Sequence, residues 1–264
     1  MLVDSPMLVD SHCHLDHFEG EDQAAAVARA KAAGVTRLVT IGTRLGAQAA
    51  TVRDIASRHE GVWGTVGIHP HNAGERDIPS VEELLREADH SRIIGLGESG
   101  LDYFYDKAPR PQQQAGFRAH IAAARASGLP LVVHARDADA DIAAILEDEH
   151  AKGAFPFLLH CFSSGAELAR RAVALGGYLS FSGMLTFPKS DQIRAIAAEA
   201  PAERLLVETD SPYLAPVPHR GKRCEPAFTA FTAARLAQVR GLPLAGLAEL
   251  TTGNFRRLFP RAVG

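Results

Sequence analysis

His12 and His14, separated only by Cys13, follow the apolar run Met7-Leu8-Val9. Alternate side chains of an extended strand share a face, so this spacing aims two imidazoles at one point and turns Cys13 away. A converging imidazole pair chelates divalent cations. It is also how two hydrogen-bonded core histidines would sit. Four more residues of ligand type occur in the same setting, each at the end of an apolar run. They are Glu98 after Ile93-Ile94-Gly95-Leu96-Gly97, His134 after Leu131-Val132-Val133, His160 after Phe157-Leu158-Leu159, and Asp210 shortly after Leu205-Leu206-Val207. Singly, each has a plain explanation as a buried hydrogen-bonded histidine or a helix-capping carboxylate. Together they point to one shared polar site, because charges and imidazoles are costly to bury unless paired, hydrogen-bonded or metal-bound.

The elements that must position these residues alternate along the whole chain. Strand-like runs fall at 8–10, 37–41, 62–67, 93–97, 131–133, 157–160, 178–181 and 205–208. Helical patterns lie between them. Segments 24–33 and 47–58 are alanine-rich, Ser80-Val81-Glu82-Glu83 is a capping box, and Phe117, Ile121 and Ala124 recur at helical spacing, as do Ile142, Ile145, Leu146 and the pair Leu168 and Ala172. Gly34, Gly128 and Gly176 mark helix ends. Eight βα repeats in 264 residues predict an α/β fold of the (β/α)8 TIM-barrel type, with a doubly wound open sheet as the alternative. A closed barrel brings the C-terminal ends of strands 1, 4, 5, 6 and 8 to one mouth and gathers all six candidates there. An open sheet would spread them along an edge.

No linker-like or low-complexity segment divides the chain, so a single domain over residues 7–264 is expected, with residues 1–6 as an extension. That extension is suggested by the echo of Met1-Leu2-Val3-Asp4-Ser5 in Met7-Leu8-Val9-Asp10-Ser11. The sequence lacks an apolar run of the roughly 18 residues a membrane span requires, and its start is unlike a signal peptide. A soluble, cytoplasmic protein is the expectation. Three cysteines, Cys13, Cys161 and Cys224, without CxxC spacing suggest neither a disulfide framework nor a cysteine zinc site. A net charge of −3 argues against bulk electrostatic coating of nucleic acid, but leaves room for a local basic patch. The densest candidate is His219-Arg220-Gly221-Lys222-Arg223, shortly after Asp210, which reads either as a solvated loop or as a phosphate-binding one.

Two strings imitate other chemistry. Gly95-Leu96-Gly97-Glu98-Ser99-Gly100 matches GxGxxG, but no helix can follow directly to meet a pyrophosphate, and Glu98 would repel one. Asp137-Ala138-Asp139-Ala140-Asp141 begins like a calcium loop, yet Ile142 stands where that loop needs glycine. Acidic residues opening a helix are the simpler reading.

Six segments, in order, resemble the TatD family of metal-dependent deoxyribonucleases: Ser11-His12-Cys13-His14-Leu15-Asp16, Gly67-Ile68-His69-Pro70, Gly97-Glu98-Ser99-Gly100-Leu101-Asp102-Tyr103, Val133-His134-Ala135-Arg136, Leu159-His160-Cys161-Phe162 and Glu208-Thr209-Asp210-Ser211-Pro212-Tyr213-Leu214. Pro218-His219-Arg220-Gly221-Lys222 resembles the family as well. The resemblance implies a distorted barrel holding two divalent ions (magnesium, manganese or zinc), with DNA as substrate. Carried over by motif, His12, His14 and Asp210 hold one ion, His134 and His160 the other, and Glu98 bridges them. A carboxylate suits that bridge because its two oxygens can span two cations, whereas a neutral imidazole binds one.

The mechanism the resemblance implies is phosphodiester hydrolysis by metal-activated water, with exonucleolytic shortening as its mode.

 Asp210 or Glu98 would accept the proton of that water, and His69 would contact phosphate or protonate the leaving group. Arg136 and Arg220 are candidate phosphate clamps, His219, beside Arg220 in the basic run, is a further candidate substrate contact, and Tyr103 is a candidate surface for base stacking. Four histidines and two carboxylates leave two divalent cations with net positive charge, which attracts a phosphodiester to an otherwise slightly acidic protein. Two other functions fit the same ligands: hydrolysis of an amide, lactone or aminoacyl ester at a binuclear centre, and a metal-stabilised binding protein without turnover.

Overall fold

A computed structural model describes residues 7–262; the expected extension, 1–6, lies outside the described residues. Eight strands run parallel and pair in chain order: β1 (Leu8–Cys13), β2 (Val35–Thr40), β3 (Val62–Val66), β4 (Ile93–Asp102), β5 (Leu131–Arg136), β6 (Phe157–Leu159), β7 (Tyr178–Phe181) and β8 (Leu205–Val207). Helices α1 (Glu21–Ala32), α2 (Ala47–Arg58), α3 (Val81–Glu87), α4 (Arg110–Ser127), α5 (Asp139–Ala151), α6 (Ala166–Ala174) and α7 (Asp191–Glu199) return the chain between strands. After β8 come α8 (Thr229–Arg240) and α9 (Leu244–Leu258). The fold is the expected (β/α)8 barrel, and no helix among the described residues is long and apolar enough to cross a membrane.

The strands sit where the apolar runs place them, and local signals act as expected. Ser80 Oγ accepts the Glu83 N–H at 3.1 Å to open α3, and Gly128 closes α4 in the left-handed conformation. The largest departure is β4, which continues five residues past Gly97 to Asp102. Its glycines belong to the strand because neighbouring backbone passes too close for a side chain. A Cβ on Gly97 would lie 2.6 Å from the Val132 carbonyl oxygen, and one on Gly100 2.0 Å from that of His134; both have positive φ. The GxGxxG string therefore lies inside a strand, and the helix that follows begins only at Arg110. Asp139 opens α5, where its Oδ2 accepts the Gly165 N–H, so the calcium-like string is the start of a helix.

Two apolar layers hold the barrel. Between strands and helices lies a shell that includes Leu8, Leu38, Ile55, Phe117, Leu146 and Leu236. A separate cluster takes one residue from every strand, Val9, Val39, Trp63, Ile94, Val132, Leu158, Tyr178 and Leu206, and adds Phe255 and Leu258 from α9 and Phe259 just beyond it. This is the packed interior of a barrel. Alternation sets what lies above it: two residues beyond Val132, Leu158 and Leu206 come His134, His160 and Glu208. The β8–β1 seam closes at this level through Asp210 N–H to the His12 carbonyl (2.9 Å) and His14 N–H to the Ser211 carbonyl (2.8 Å).

Candidate metal centre

The mouth of the barrel brings all six predicted ligands together. His12 Nε2 and His14 Nε2 face each other at 3.3 Å, and both face Asp210 Oδ1, at 3.5 and 3.4 Å. On the other side, His134 Nδ1 and His160 Nε2 are 3.2 Å apart. Glu98 stands between the two groups. Its Oε2 is 3.4 Å from His12 Nε2, while its Oε1 is 2.7 Å from His160 Nε2 and 2.8 Å from His134 Nδ1. His12, Glu98 and His160 are buried, and Asp210, at the left-handed turn after β8 with φ of 60°, keeps a side chain 15 % exposed. A non-glycine residue held at such a φ is under strain, which is commonly retained where a side chain has a task.

Hydrogen-bond partners assign the histidine tautomers. His134 Nε2 donates to Asp102 Oδ2 at 3.1 Å, and His160 Nδ1 to Glu208 Oε1 at 3.3 Å, so that when either ring gives up its second proton the lone pair left is on the inward nitrogen. This is the carboxylate–histidine pattern that orients metal ligands. His69 is the opposite case. Its Nδ1 accepts the His71 N–H at 3.0 Å, so the neutral ring carries its proton on Nε2, which faces Glu98 Oε1 at 3.4 Å. His69 can thus form a third grouping with Glu98 and His134 by distance, but its tautomer suits it to donate a hydrogen bond toward the centre.

The electrostatics describe protons where cations would fit. Burial pushes the Glu98 carboxyl up, but the imidazoles of His160, His69 and His12 overcome this and hold it well below the usual carboxylate range. Burial likewise lowers His160, and the carboxylates of Glu98 and Glu208 outweigh it to raise the ring well above an ordinary histidine. His14 and His134 are raised despite burial by Asp210 and by Asp102 with Glu98 respectively. His12 is lowered, by burial and then by its repulsion from His160. Burial brings His69 to about 4 against the pull of Glu98, so it is neutral at physiological pH. Imidazole nitrogens and carboxylate oxygens, crowded at these distances and facing inward, make a donor set that fits divalent cations.

Asp102 and Glu208 are the residues that sequence reasoning left without a role, although both lie inside the quoted motifs. Glu208 was legible by alternation with Asp210. Asp102 was not, since only the continuation of β4 puts it behind His134, where it also accepts from His71 Nε2 at 2.8 Å. The four predicted substrate contacts fare differently. Arg136 ends β5 and borders a cleft of about 540 Å³ with Ser163, Ser164 and Asp137, its guanidinium 4.7 Å over the Phe104 ring. Tyr103 has Arg110 stacked at 4.1 Å and donates its hydroxyl to Asp141 at 2.6 Å, which fixes the ring in the wall of the barrel. His219 stacks on Phe228 at 4.2 Å, and Arg220 lies 4.6 Å over Phe187. Among the described residues, no hydrogen bond, ion pair or ring contact ties His219 or Arg220 to the six candidate ligands.

A (β/α)8 barrel with histidines and carboxylates converging at its C-terminal mouth defines a class, the metal-dependent hydrolases. Comparison with known proteins narrows it: residues 9–260 match the family described as TatD related DNase, and the chain belongs to that family. It is 42% identical over 256 residues to the uncharacterized metal-dependent hydrolase YcfH of Escherichia coli K12, covering 96% of this chain and 95% of the relative. It is 35% identical over 246 residues to the 3'-5' ssDNA/RNA exonuclease TatD of Cronobacter sakazakii, covering 90% and 92% of the two chains. The crystal structure of YjjV, a TatD homologue from Escherichia coli K12, superposes with a TM-score of 0.88 at 28% identity, covering 96% of this chain and 98% of that one.

Proposed function

We propose that this protein hydrolyses phosphodiester bonds in DNA at a centre built for two divalent cations. The observation that carries the reading is the placement of Glu98, whose two oxygens face different groups of imidazoles. His12, His14 and Asp210 would hold one ion, His134 and His160 the other, and Glu98 would touch both. Bound there, divalent cations supply an activated water and neutralise charge on the phosphoryl group. The protein's own residues orient the reaction. Asp102 and Glu208 fix the rings of His134 and His160, and Asp210, partly open at the mouth, is placed to accept a proton from an attacking water. His69, neutral and with its proton on Nε2, is suited to donate a hydrogen bond to a phosphate oxygen rather than to act as an imidazolium acid. Arg136, next but one to His134, adds a cation at the edge of the centre. The exonuclease among the relatives supports nucleic acid as the substrate and shortening from an end as the mode.

The test is cleavage of end-labelled single- and double-stranded DNA after chelation, with magnesium, manganese or zinc restored. Stepwise shortening that returns with metal is expected. A metal-loaded, folded protein that leaves all DNA intact but hydrolyses a lactone or aminoacyl ester would overturn the reading.

A further inference from the structure

Three aromatic side chains near the mouth are more than half exposed: Phe104 (55%), Tyr105 (56%) and Tyr213 (51%). Scattered exposed apolar residues are ordinary, but the two tyrosines stand on opposite sides of the candidate centre and each is tied to it. The Tyr105 N–H donates to Asp102 Oδ1 at 2.8 Å, and Asp102 anchors His134. The Tyr105 ring meets His71 edge-on at 5.3 Å. Across the centre, the Tyr213 N–H donates to the Asp210 carbonyl at 2.9 Å, and its ring meets His14 at 6.2 Å. Each tyrosine is therefore fixed by its main chain to one side of the metal centre while much of its side chain remains open to solvent. Cations accompany the β4 side: Arg136 lies over Phe104, and Lys107 Nζ is 5.6 Å from the Tyr105 ring centre.

We infer that Tyr105 and Tyr213 are stacking platforms for the two unpaired nucleobases that flank the scissile phosphate, Tyr105 on the His134 side and Tyr213 on the His14 side. This rests on the phosphodiesterase reading above and adds what selects its substrate. A phosphodiester carries a base on each side, and an aromatic face accepts any base at similar gain, so a pair of platforms gives affinity for nucleic acid without choosing a sequence. Base faces are free only in single strands, at frayed ends or in loops, so the platforms favour unpaired substrate. The stacking role expected of Tyr103 passes to Tyr105, whose side chain is more than half exposed, whereas Tyr103 is half-buried with Arg110 close over its ring and its hydroxyl donated to Asp141.

The test measures binding and cleavage in parallel with a short oligothymidylate and with the same backbone carrying abasic residues. Binding is read on chelated protein, so that turnover does not intervene. Wild type is expected to bind the oligothymidylate more tightly than the abasic chain by roughly fivefold to a hundredfold per stacked base. Tyr105→Ala and Tyr213→Ala should each remove most of that preference and raise KM for metal-restored cleavage more than they lower kcat. Tyr105→Trp and Tyr213→Trp should restore it, and the abasic chain should bind all variants alike. Alanine variants that keep the full preference while cleavage proceeds would overturn this inference and leave the nuclease reading standing. Wild type that neither binds nor cleaves either oligonucleotide would overturn both.

Discussion

The two ends of the barrel interior are built from the same strands and differ in almost everything else. At the N-terminal end, Val9, Val39, Ile94, Val132, Leu158 and Leu206 pack with Phe255 of α9 and Phe259 just after it into an apolar plug. Two residues further along β5, β6 and β8, the inward positions are His134, His160 and Glu208, and with β1 and β4 they assemble inward-facing donors around Glu98. One end gains stability by excluding water. The other crowds imidazoles and carboxylates that shift one another's pKa values and whose inward atoms could hold a cation. The same alternation that builds the core thus builds the site, and a substitution should be felt as lost stability at one end and as lost chemistry at the other.

The largest test of that division is Phe255→Ala at the plug, expected to lower stability by about 3–5 kcal/mol while the folded fraction keeps its metal content; denaturant unfolding with metal analysis checks it. Glu98→Gln at the mouth should do the reverse. It should keep a cooperative fold but lose roughly two to three orders of magnitude in hydrolysis, because an amide cannot supply the anionic bridge. Activity near wild type would break the two-cation reading. Next in size is Asp102→Asn, which loosens His134 without touching the cations; a loss of about 10- to 100-fold in metal affinity is expected by titration calorimetry.

Smaller effects come from protons. His14, His134 and His160 bind protons more tightly in the folded metal-free protein than in the unfolded chain. Their contribution is full below about 6.5, the ordinary histidine value, and is lost as pH rises through their folded values. Burial raises Asp10 to about 7, and its contribution has the same sign, complete below the ordinary carboxylate range and lost as pH rises through 7. The lowered His12 and His69 act below 6.5, outside this window. The melting temperature of metal-free protein should therefore fall from pH 6.5 to 9, and saturating metal should flatten that fall, since cations replace the protons. Removing residues 1–6 should change least, within about 0.5 kcal/mol, as seen by melting a chain that begins at Met7.

The strand runs, the order of the helices and the six converging ligand types were legible in the sequence, because a period of two and the cost of burying polar groups leave direct marks on residue choice. The capping box at Ser80 was legible for the same reason, being a local hydrogen bond. What only the tertiary structure decided depends on residues far apart in the chain. The extent of β4 follows from close backbone approach at Gly97 and Gly100. Asp102 and Glu208 gain their roles from rings carried on β5 and after β6. His69 has a ring of the same type as His134, and it takes the opposite tautomer because its Nδ1 accepts the His71 N–H. Tyr103 and Tyr105 are neighbours in one loop, yet Arg110 stacks closely on the first and Asp141 accepts its hydroxyl, while the second is more than half exposed. Residue type sets which atoms can bind or donate; which of them are free to do so depends on partners that only the closed barrel brings within reach.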